Sequence, residues 1–301
     1  LQGTFVAFGT APTINGGNVT VSEVALNRTG AVGDPVTRKN ITVFPNANKG
    51  ANAADNLAIN LHGSTLSLTS SDGIFVRVVN GASTFFANFG NSVDIQNVTA
   101  LNVNLQLGGD DTVTYNGGAG ALPVMIDAGA GNDSITLNGT GTATATVNGG
   151  AGNDNILDNS SYTATLNGGD GNDTIKAMGS GAINPFLLQG LGGMGGLNPF
   201  LLQALGGMGG QKTLNGGAGD DSLTGPFFGF LNNLNGGQGN DMIMGGFGVD
   251  IIDGGPGSDL IFGFGGGDFI FAFDFNPDFI LSVGVKATDP KPFTDPLDRV
   301  I

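Results

Sequence analysis

The sequence predicts an all-β protein built around a right-handed parallel β-roll, or β-solenoid, with a smaller N-terminal β region. Two observations predict this fold. A nine-residue unit with the pattern GGxGxDxΦx, in which Φ is a large aliphatic residue, recurs between residues 128 and 271. Its aspartates recur at about the length of one coil, since Asp133, Asp154 and Asp173 are spaced by 21 and 19 residues. One such unit cannot bury its apolar residue alone, so the copies must stack.

The N-terminal third reads as β-rich. Residues 1–55 are predicted to form a cap or small sandwich, with alternating stretches such as TFVAF from Thr4 and ITVF from Ile41. Residues 56–105 are predicted to form irregular β or solenoid coils, on the evidence of strand-like segments such as LAINLHGSTLSL from Leu57. This region therefore leads into the roll.

Residues 106–275 contain the repeats. The clearest copies are GGAGNDNIL from Gly149, GGDGNDTIK from Gly168, GGAGDDSLT from Gly216, GGQGNDMIM from Gly236, GGFGVDIID from Gly245 and GGPGSDLIF from Gly254. Looser copies begin at Ala128 and Gly263, and a decayed one contains Asp111. Glycines allow the backbone to curl into a turn, and the eighth residue marks a strand that faces a core. These core residues are Ile135, Ile156, Ile175, Leu223, Ile243, Ile252, Ile261 and Ile270. The predicted opposing ladder is Leu105, Ile126, Val147, Leu166, Leu214 and Leu234.

The aspartates are predicted to bind a metal ion between coils. The coil spacing places one set on one edge of a flattened roll and Asp250 and Asp268 on the opposite edge. Stacked carboxylates about 4.8 Å apart would repel by about 0.9 kcal/mol in water, and by about 3.5 kcal/mol at an effective dielectric of 20. Oxygen ligands without cysteine or histidine select a hard ion, and abundant carbonyls favour Ca²⁺. The predicted ligands are Asp111, Asp133, Asp154, Asp173, Asp221, Asp241, Asp250, Asp259 and Asp268.

These units resemble the RTX, or hemolysin-type calcium-binding, nonapeptide repeats. The resemblance covers roughly residues 106 to 275. It implies a parallel β-roll that folds when calcium enters between turns, in a protein secreted by a Gram-negative bacterium to the extracellular space or the cell surface. It does not imply one activity, because the family includes toxins, proteases, lipases, adhesins and surface-layer proteins.

Composition excludes several classes of function. The net charge is -15, and residues 105 to 275 hold sixteen aspartates against Lys176 and Lys212. Such an acidic chain is not expected to bind nucleic acid. No apolar run is long enough to span a membrane, and the chain contains no cysteine. Because the chain starts at Leu1 without a basic region, we expect a processed product or a fragment.

An apolar insert at residues 177–211 interrupts the repeats. It contains the duplicated segments NPFLLQGLGGMGG from Asn184 and NPFLLQALGGMGG from Asn198. Each has the residue pattern of a very short helix. Phenylalanine-rich segments follow near Phe227 and between Phe269 and Phe275. These segments either pack on the roll, as an internal cap, or meet another subunit. The predicted homo-oligomer or polymer would form through the insert and these phenylalanine-rich segments. Residues 276–301 are predicted to form a C-terminal cap or tail.

An enzymatic function is not expected. The sequence has no G-x-S-x-G or H-E-x-x-H motif, and its one histidine, His62, has no evident partner. We therefore predict a secreted, calcium-binding structural protein that associates with itself into an extracellular fibre, sheath or surface layer. The alternative is the calcium-binding β-roll portion of a secreted adhesin or hydrolase.

Overall fold

The computed structural model describes residues 39–44, 54–63, 65–71, 75–80, 83–88, 91–96, 98–105, 108–119, 122–178, 210–227, 231–271, 276–282 and 299–300. Within these residues every regular element is a β-strand, and the all-β prediction is confirmed. The strand predicted from Thr4 and the two duplicated segments of the insert lie outside the described residues. None of the described residues forms a helix of the length and apolarity that crossing a membrane requires.

The described residues form 23 strands. The first twelve are β1 Lys39–Phe44, β2 Asn56–His62, β3 Thr65–Ser70, β4 Phe75–Asn80, β5 Ser83–Asn88, β6 Ser92–Gln96, β7 Val98–Asn104, β8 Thr112–Asn116, β9 Val124–Ala130, β10 Ser134–Gly139, β11 Thr144–Ala151 and β12 Asn155–Ser160. The others are β13 Thr163–Asp170, β14 Thr174–Ala177, β15 Lys212–Ala218, β16 Ser222–Thr224, β17 Leu231–Gln238, β18 Met242–Gly246, β19 Val249–Asp253, β20 Leu260–Phe264, β21 Phe269–Phe271, β22 Phe279–Ser282 and β23 Arg299–Val300.

The strands form two sheets, and from β7 to β22 the chain alternates between them. Sheet I has the order β21-β19-β17-β15-β13-β11-β9-β7-β1-β4-β5, and sheet II has the order β23-β22-β20-β18-β16-β14-β12-β10-β8-β2-β3-β6. From β7 to β20, each strand pairs in parallel with the strand two places further along the chain. This is a parallel β-solenoid, in which one coil contributes one strand to each sheet.

The core consists of two facing columns of aliphatic side chains. In sheet II the column runs Leu57, Val113, Ile135, Ile156, Ile175, Leu223, Ile243, Ile261 and Ile280. In sheet I it runs Val103, Ile126, Val147, Leu166, Leu214, Leu234, Ile252 and Ile270. All of them are buried except Ile270, which is partly buried and packs against the cluster. The eighth residue of every predicted repeat therefore faces the core, as the strand period requires.

One member of the predicted sheet I ladder was wrong. Val103, and not Leu105, pairs with Ile126. Leu105 lies beyond the last residue of β7, where its N–H donates to the carbonyl of Asp127. It is also buried, two residues further along the chain than Val103. The error arises because LNVNLQL offers alternate leucine and valine residues, and side chains two apart share a face.

The N-terminal end closes with antiparallel pairing. Strands β2 and β3, β3 and β6, β1 and β4, and β4 and β5 pair in antiparallel fashion. Strand β1 also pairs in parallel with β7, and β2 with β8, so both belong to the sheets of the roll. Residues 56–105 thus combine hairpins with the parallel strand β7, and the domain boundaries stay predictions.

The two sheets meet along two edges. At the first edge the chain passes from sheet I to sheet II, and at the second edge it returns from sheet II to sheet I. The predicted insert leaves from β14, which ends at Ala177, and rejoins at β15, which begins at Lys212, so it connects two adjacent coils at the second edge. The stacking of the coils continues across it, because β13 pairs with β15 and β14 with β16.

Candidate metal centre

The turns at the first edge stack so closely that only glycine fits at two of their positions. Gly150, the second residue of its repeat, has a φ of 120°. A methyl group added there would collide with the carbonyl oxygen of Gly129, in the turn of the preceding coil. Gly152, the fourth residue, has a φ of 129° and meets the carbonyl oxygen of Gly131 in the same way. Glycine therefore lets successive turns approach with their carbonyl oxygens directed at the next coil.

The sixth residue of each turn forms a continuous ladder along the first edge. The backbone N–H of each aspartate donates to Oδ1 of the aspartate in the next coil, at 2.7 to 2.9 Å. The order along this ladder is Asp55, Asp111, Asp133, Asp154, Asp173, Asp221, Asp241, Asp259 and Asp278. All of these aspartates are buried.

The fifth residue forms a second ladder that runs the opposite way. Its side-chain oxygen accepts the N–H of the fifth residue in the following coil, as Asn132 Oδ1 does from Asn153 at 2.8 Å. The members are Asp110, Asn132, Asn153, Asn172, Asp220, Asn240 and Ser258. Sequence reasoning missed this ladder, although a short polar residue at the fifth place of successive repeats was a signal for it. Neighbouring turns are therefore linked by two hydrogen bonds to side chains, of opposite direction, in addition to bonds between backbone groups.

In seven of the predicted ligand aspartates the other carboxylate oxygen lacks a donor. Among the described residues, Oδ2 of Asp111, Asp133, Asp154, Asp173, Asp221, Asp241 and Asp250 is buried without a hydrogen-bond partner. A buried carboxylate oxygen without a partner is costly. Each of these sites consequently needs a compensating group that the described part of the chain does not supply.

A small space borders these oxygens in successive repeats. A methyl group at Gly149, the first residue of its repeat, would collide with Asp154 Oδ2 and lie 2.8 Å from the carbonyl oxygen of Gly168 in the next coil. At Gly168 the same position is bordered by Asp173 Oδ2 and, at 2.7 Å, by the carbonyl oxygen of Gly216. The first glycine thus leaves room where a carboxylate of one coil and a carbonyl of the next converge.

Burial and mutual repulsion raise the pKa values of the carboxyl groups in this column. Burial, opposed by the N–H bond and reinforced by neighbouring carboxylates, raises the pKa of Asp133, Asp154 and Asp173 from 3.8 to about 6. The same causes raise the pKa of Asp111 and Asp221 to about 7. The carboxylates therefore gain from a nearby cation or, in its absence, from a proton.

Asp250 and Asp268 lie on the second edge, at the start of β19 and just before β21. Their arrangement repeats that of the first edge, since the N–H of Asp250 donates to Asp268 Oδ1 at 3.1 Å. Burial raises the pKa of Asp250 to about 6, with the Asn232 amide opposing the shift and the Asp268 carboxylate adding to it. The aspartates predicted from the repeats thus stand in two columns, one on each edge.

Two members of the first-edge ladder escaped the sequence analysis. Asp55 and Asp278 lie just before β2 and β22, each two residues ahead of a buried aliphatic residue, Leu57 or Ile280. They have the D-x-Φ end of the repeat without its glycines. The spacing of 19 residues between Asp259 and Asp278 was a signal for the second of them.

The donor set fits calcium. In the described part of the chain, no three carboxylate, histidine or cysteine side chains converge on one point. An ion would therefore take its remaining ligands from backbone carbonyls of adjacent turns, and Ca²⁺ accepts six to eight oxygens of both kinds. Carboxylate Oδ2 atoms and first-position glycine carbonyls are the atoms that would hold it. The bound ion would supply the positive charge that the column lacks.

Comparison with known proteins agrees with this geometry. The family model of the RTX calcium-binding nonapeptide repeat matches four copies, at residues 158–180, 207–225, 231–261 and 244–272. The copies around Asp111, Asp133 and Asp154 lie outside these matches. A search of curated proteins finds no match to this chain.

Proposed function

The chain contains RTX calcium-binding nonapeptide repeats in a β-solenoid, and from that premise we propose that it is a secreted structural protein that associates with copies of itself. In this proposal calcium orders the coils, and the ordered molecules build an extracellular fibre, sheath or surface layer. Proteins with such repeats are typically secreted by Gram-negative bacteria, which supports an extracellular or cell-surface location. We propose no enzymatic activity.

The observation that carries this proposal is a change of polarity along the outer faces of the roll. One outward column of sheet I runs Asn102, Met125, Thr146, Thr165, Thr213, Asn233, Ile251 and Phe269. One outward column of sheet II runs Thr112, Ser134, Asn155, Thr174, Ser222, Met242, Leu260 and Phe279. Apart from Met125, both columns are polar in the earlier coils and become apolar in the last coils.

The apolar side chains of the last coils are exposed. In sheet I, Ile251 is 36% and Phe269 45% exposed, and in sheet II Met242 is 42% and Phe279 37% exposed. A third group lies on the second edge, where the rings of Phe227 and Phe247 meet edge to face with centroids 4.7 Å apart. The ring of Phe264 continues this row, 6.4 Å from that of Phe247.

Contiguous apolar surface of this kind is typical of protein contact sites. The last coils carry it on both sheets and on one edge, so a single flat partner would leave much of it in water. Copies of the same chain can cover several faces at once, and repeated contacts between identical molecules generate extended assemblies. This favours self-association over a single small ligand.

The charge of the roll links assembly to calcium. Residues 105 to 275 carry sixteen aspartates and only two lysines, and molecules of like charge repel one another. Divalent ions held along the two edges would offset this charge at the same time as they order the coils. We therefore expect calcium to be required both for folding and for assembly.

The test compares two substitutions in the same outward column of sheet I. The double variant Ile251→Ser/Phe269→Ser removes the apolar end of the column, and Met125→Ser removes a side chain that is 41% exposed at its other end. All three proteins are titrated with calcium, with folding followed by circular dichroism and assembly by sedimentation and electron microscopy. We expect the double variant to fold but stay monomeric, while the Met125 variant assembles like the wild type.

Two outcomes would contradict the proposal. If the double variant assembles as readily as the control, the apolar end is not the contact surface. If the wild type stays a monodisperse monomer in calcium at every concentration, self-association is wrong. The calcium-binding portion of a secreted adhesin or hydrolase would then be the better interpretation, and polysaccharide binding and hydrolase assays would follow.

A further inference from the structure

The second edge contains a buried lysine at the place where the chain rejoins the roll after the insert. Lys212 begins β15, and both its side chain and that of Asp158 are fully buried. Its Nζ donates to Asp158 Oδ2 at 2.7 Å, to the carbonyl oxygen of Ser160 at 3.0 Å and to that of Tyr162 at 2.7 Å. An ammonium group has three N–H donors, and here each of them finds an oxygen.

The turn that receives the ammonium is itself ordered by the same carboxylate. Asp158 Oδ1 accepts the backbone N–H of Ser160 at 2.7 Å and its hydroxyl at 2.5 Å. The hydroxyl oxygen of Ser160 in turn accepts the N–H of Tyr162 at 3.2 Å. Residues 158–162 therefore present one carboxylate oxygen and two carbonyl oxygens toward a single point, which are oxygen donors of the kinds that a hard cation takes.

Lys212 belongs to a column of residues that stack along the second edge and change in charge from coil to coil. Its column along the second edge runs Ala145, Ala164, Lys212, Asn232, Asp250 and Asp268. Asp250 and Asp268 are candidate calcium ligands, and Asn232 donates its side-chain N–H to Asp250 Oδ1 at 2.8 Å. The column thus passes from aliphatic residues, through a cationic and a neutral residue, to acidic ones.

We propose that the ammonium group of Lys212 is a cation built into the chain. On the second edge it supplies the positive charge between adjacent coils that we assign to calcium on the first edge. It joins the turn at 158–162, which precedes the insert, to the first strand that follows it. At the first edge the same two coils are joined by the N–H of Asp173 and Oδ1 of Asp221, at 2.7 Å. The two coils that the insert separates in sequence are therefore joined by a candidate calcium site at the first edge and by an ammonium group at the second edge.

The length of the insert gives a reason for this second contact between the two coils. Other coils of the roll are joined by short turns, whereas β14 and β15 are separated by residues 178–211. A longer connection makes it entropically more costly to bring its two ends together in register. A cation that belongs to the chain acts only when β15 has docked in the correct register, because Nζ reaches the three oxygens only from that position. The two halves of the roll should therefore fold as one unit.

The experiment uses the full chain and compares Lys212→Met with Lys176→Met, a substitution of the exposed lysine on β14. Calcium titrations are followed by circular dichroism, and hydrogen exchange is measured separately for residues 122–178 and 212–271. Removing one partner of a buried ion pair leaves an uncompensated charge, so the Lys212 variant should need about two- to threefold more calcium to fold. We expect its two segments to become protected at different calcium concentrations, and the Lys176 variant to behave like the wild type.

A rescue experiment keeps the proposal testable if Lys212→Met does not fold at any calcium concentration. Lys212→Gly leaves room for the atoms that are lost, and n-butylammonium should lower the calcium concentration needed for its folding, whereas n-butanol, which has the same shape without the charge, should not. Equal effects of both compounds, or no effect of either, would overturn the proposal. So would a Lys212→Met variant that titrates like the wild type. None of these measurements depends on assembly, so a failure here is distinguishable from a failure of the proposed self-association.

Discussion

Lowering the pH in the absence of calcium should stabilise the folded roll. The first-edge carboxyls of Asp133, Asp154 and Asp173 have pKa values of about 6, compared with 3.8 for the ordinary group. A carboxyl whose folded pKa is raised binds protons more readily in the folded than in the unfolded state. Its contribution to stability is fully present below the unfolded pKa and is lost as the pH rises through the folded pKa. The relevant window therefore runs from about pH 4 to about pH 7.

The magnitude follows from these values. At pH 5 a carboxyl with a pKa of about 6 is about nine-tenths protonated in the folded state, and at pH 7.5 it is almost fully ionised. For each such group, moving from pH 7.5 to pH 5 should raise the free energy of unfolding of the calcium-free protein by about 1.4 kcal/mol. Calcium binding needs the ionised form, so the same change should weaken each site about tenfold for every carboxylate it uses.

The assay is thermal unfolding followed by circular dichroism, in calcium-free buffer at several pH values, together with calcium titrations at pH 7.5 and pH 5. A general loss of negative charge on the surface would also favour folding at low pH, so the measurements are repeated at about 0.5 M NaCl, where exposed charges are largely screened and buried ones are not. We expect the pH dependence to persist in high salt. Either of two results would refute the reasoning. The calcium-free protein could be more stable at pH 7.5 than at pH 5, or the calcium concentration at the midpoint of the titration could be the same at both pH values.

Substitutions at three positions test the site and the core. Asp173→Asn keeps an oxygen that can accept the N–H of Asp154 but removes the charge, so calorimetry should show fewer bound calcium ions; the exposed control Asp94→Asn should leave the count unchanged. Gly168→Ala alters no charge but fills the space beside Asp173 Oδ2, and we expect the same loss of calcium; an unchanged ion count would show that this space is not the binding site. Ile156→Ala should lower the free energy of unfolding in saturating calcium by about 2 to 5 kcal/mol, and Ile156→Val by about 0.5 to 1.5 kcal/mol. Denaturant titrations that showed equal, small losses for both would mean that this column is not the core.

Much of the roll could be predicted because its rules are local. In the earlier repeats the eighth residue alternates with polar neighbours, as Ile135 does with Ser134 and Thr136, so its inward orientation follows from the period of a strand. The spacing of the aspartates also separated Asp250 and Asp268 from the others, and the structure places both on the second edge. The prediction failed at Leu105, where two alternating residues both suit the inward face and only pairing with the neighbouring strand distinguishes them.

The candidate site could be predicted only in part, because most of its contacts join residues of different coils. Asp55 and Asp278 lack the glycines of the repeat, and they join the ladder through the hydrogen bonds of neighbouring coils. The ladder of fifth residues was missed for a related reason. A short polar side chain there is compatible with a solvated loop, and its role appears only when the N–H of the next coil lies beside it.

By itself, the sequence determined the class of fold and the inward faces of the repeats, and it predicted a site of oxygen ligands suited to a hard metal ion. These follow from the order of glycine, aspartate and aliphatic residues within nine positions, since backbone conformation and side-chain alternation act over that range. The tertiary structure alone decided which atoms face each other across the stack. Lys212 and Asp158 are 54 residues apart, and the apolar ends of the outer columns gather side chains from several coils. Such contacts depend on the register of stacked coils, which the number of residues between them does not reveal once an insert lies in the connection.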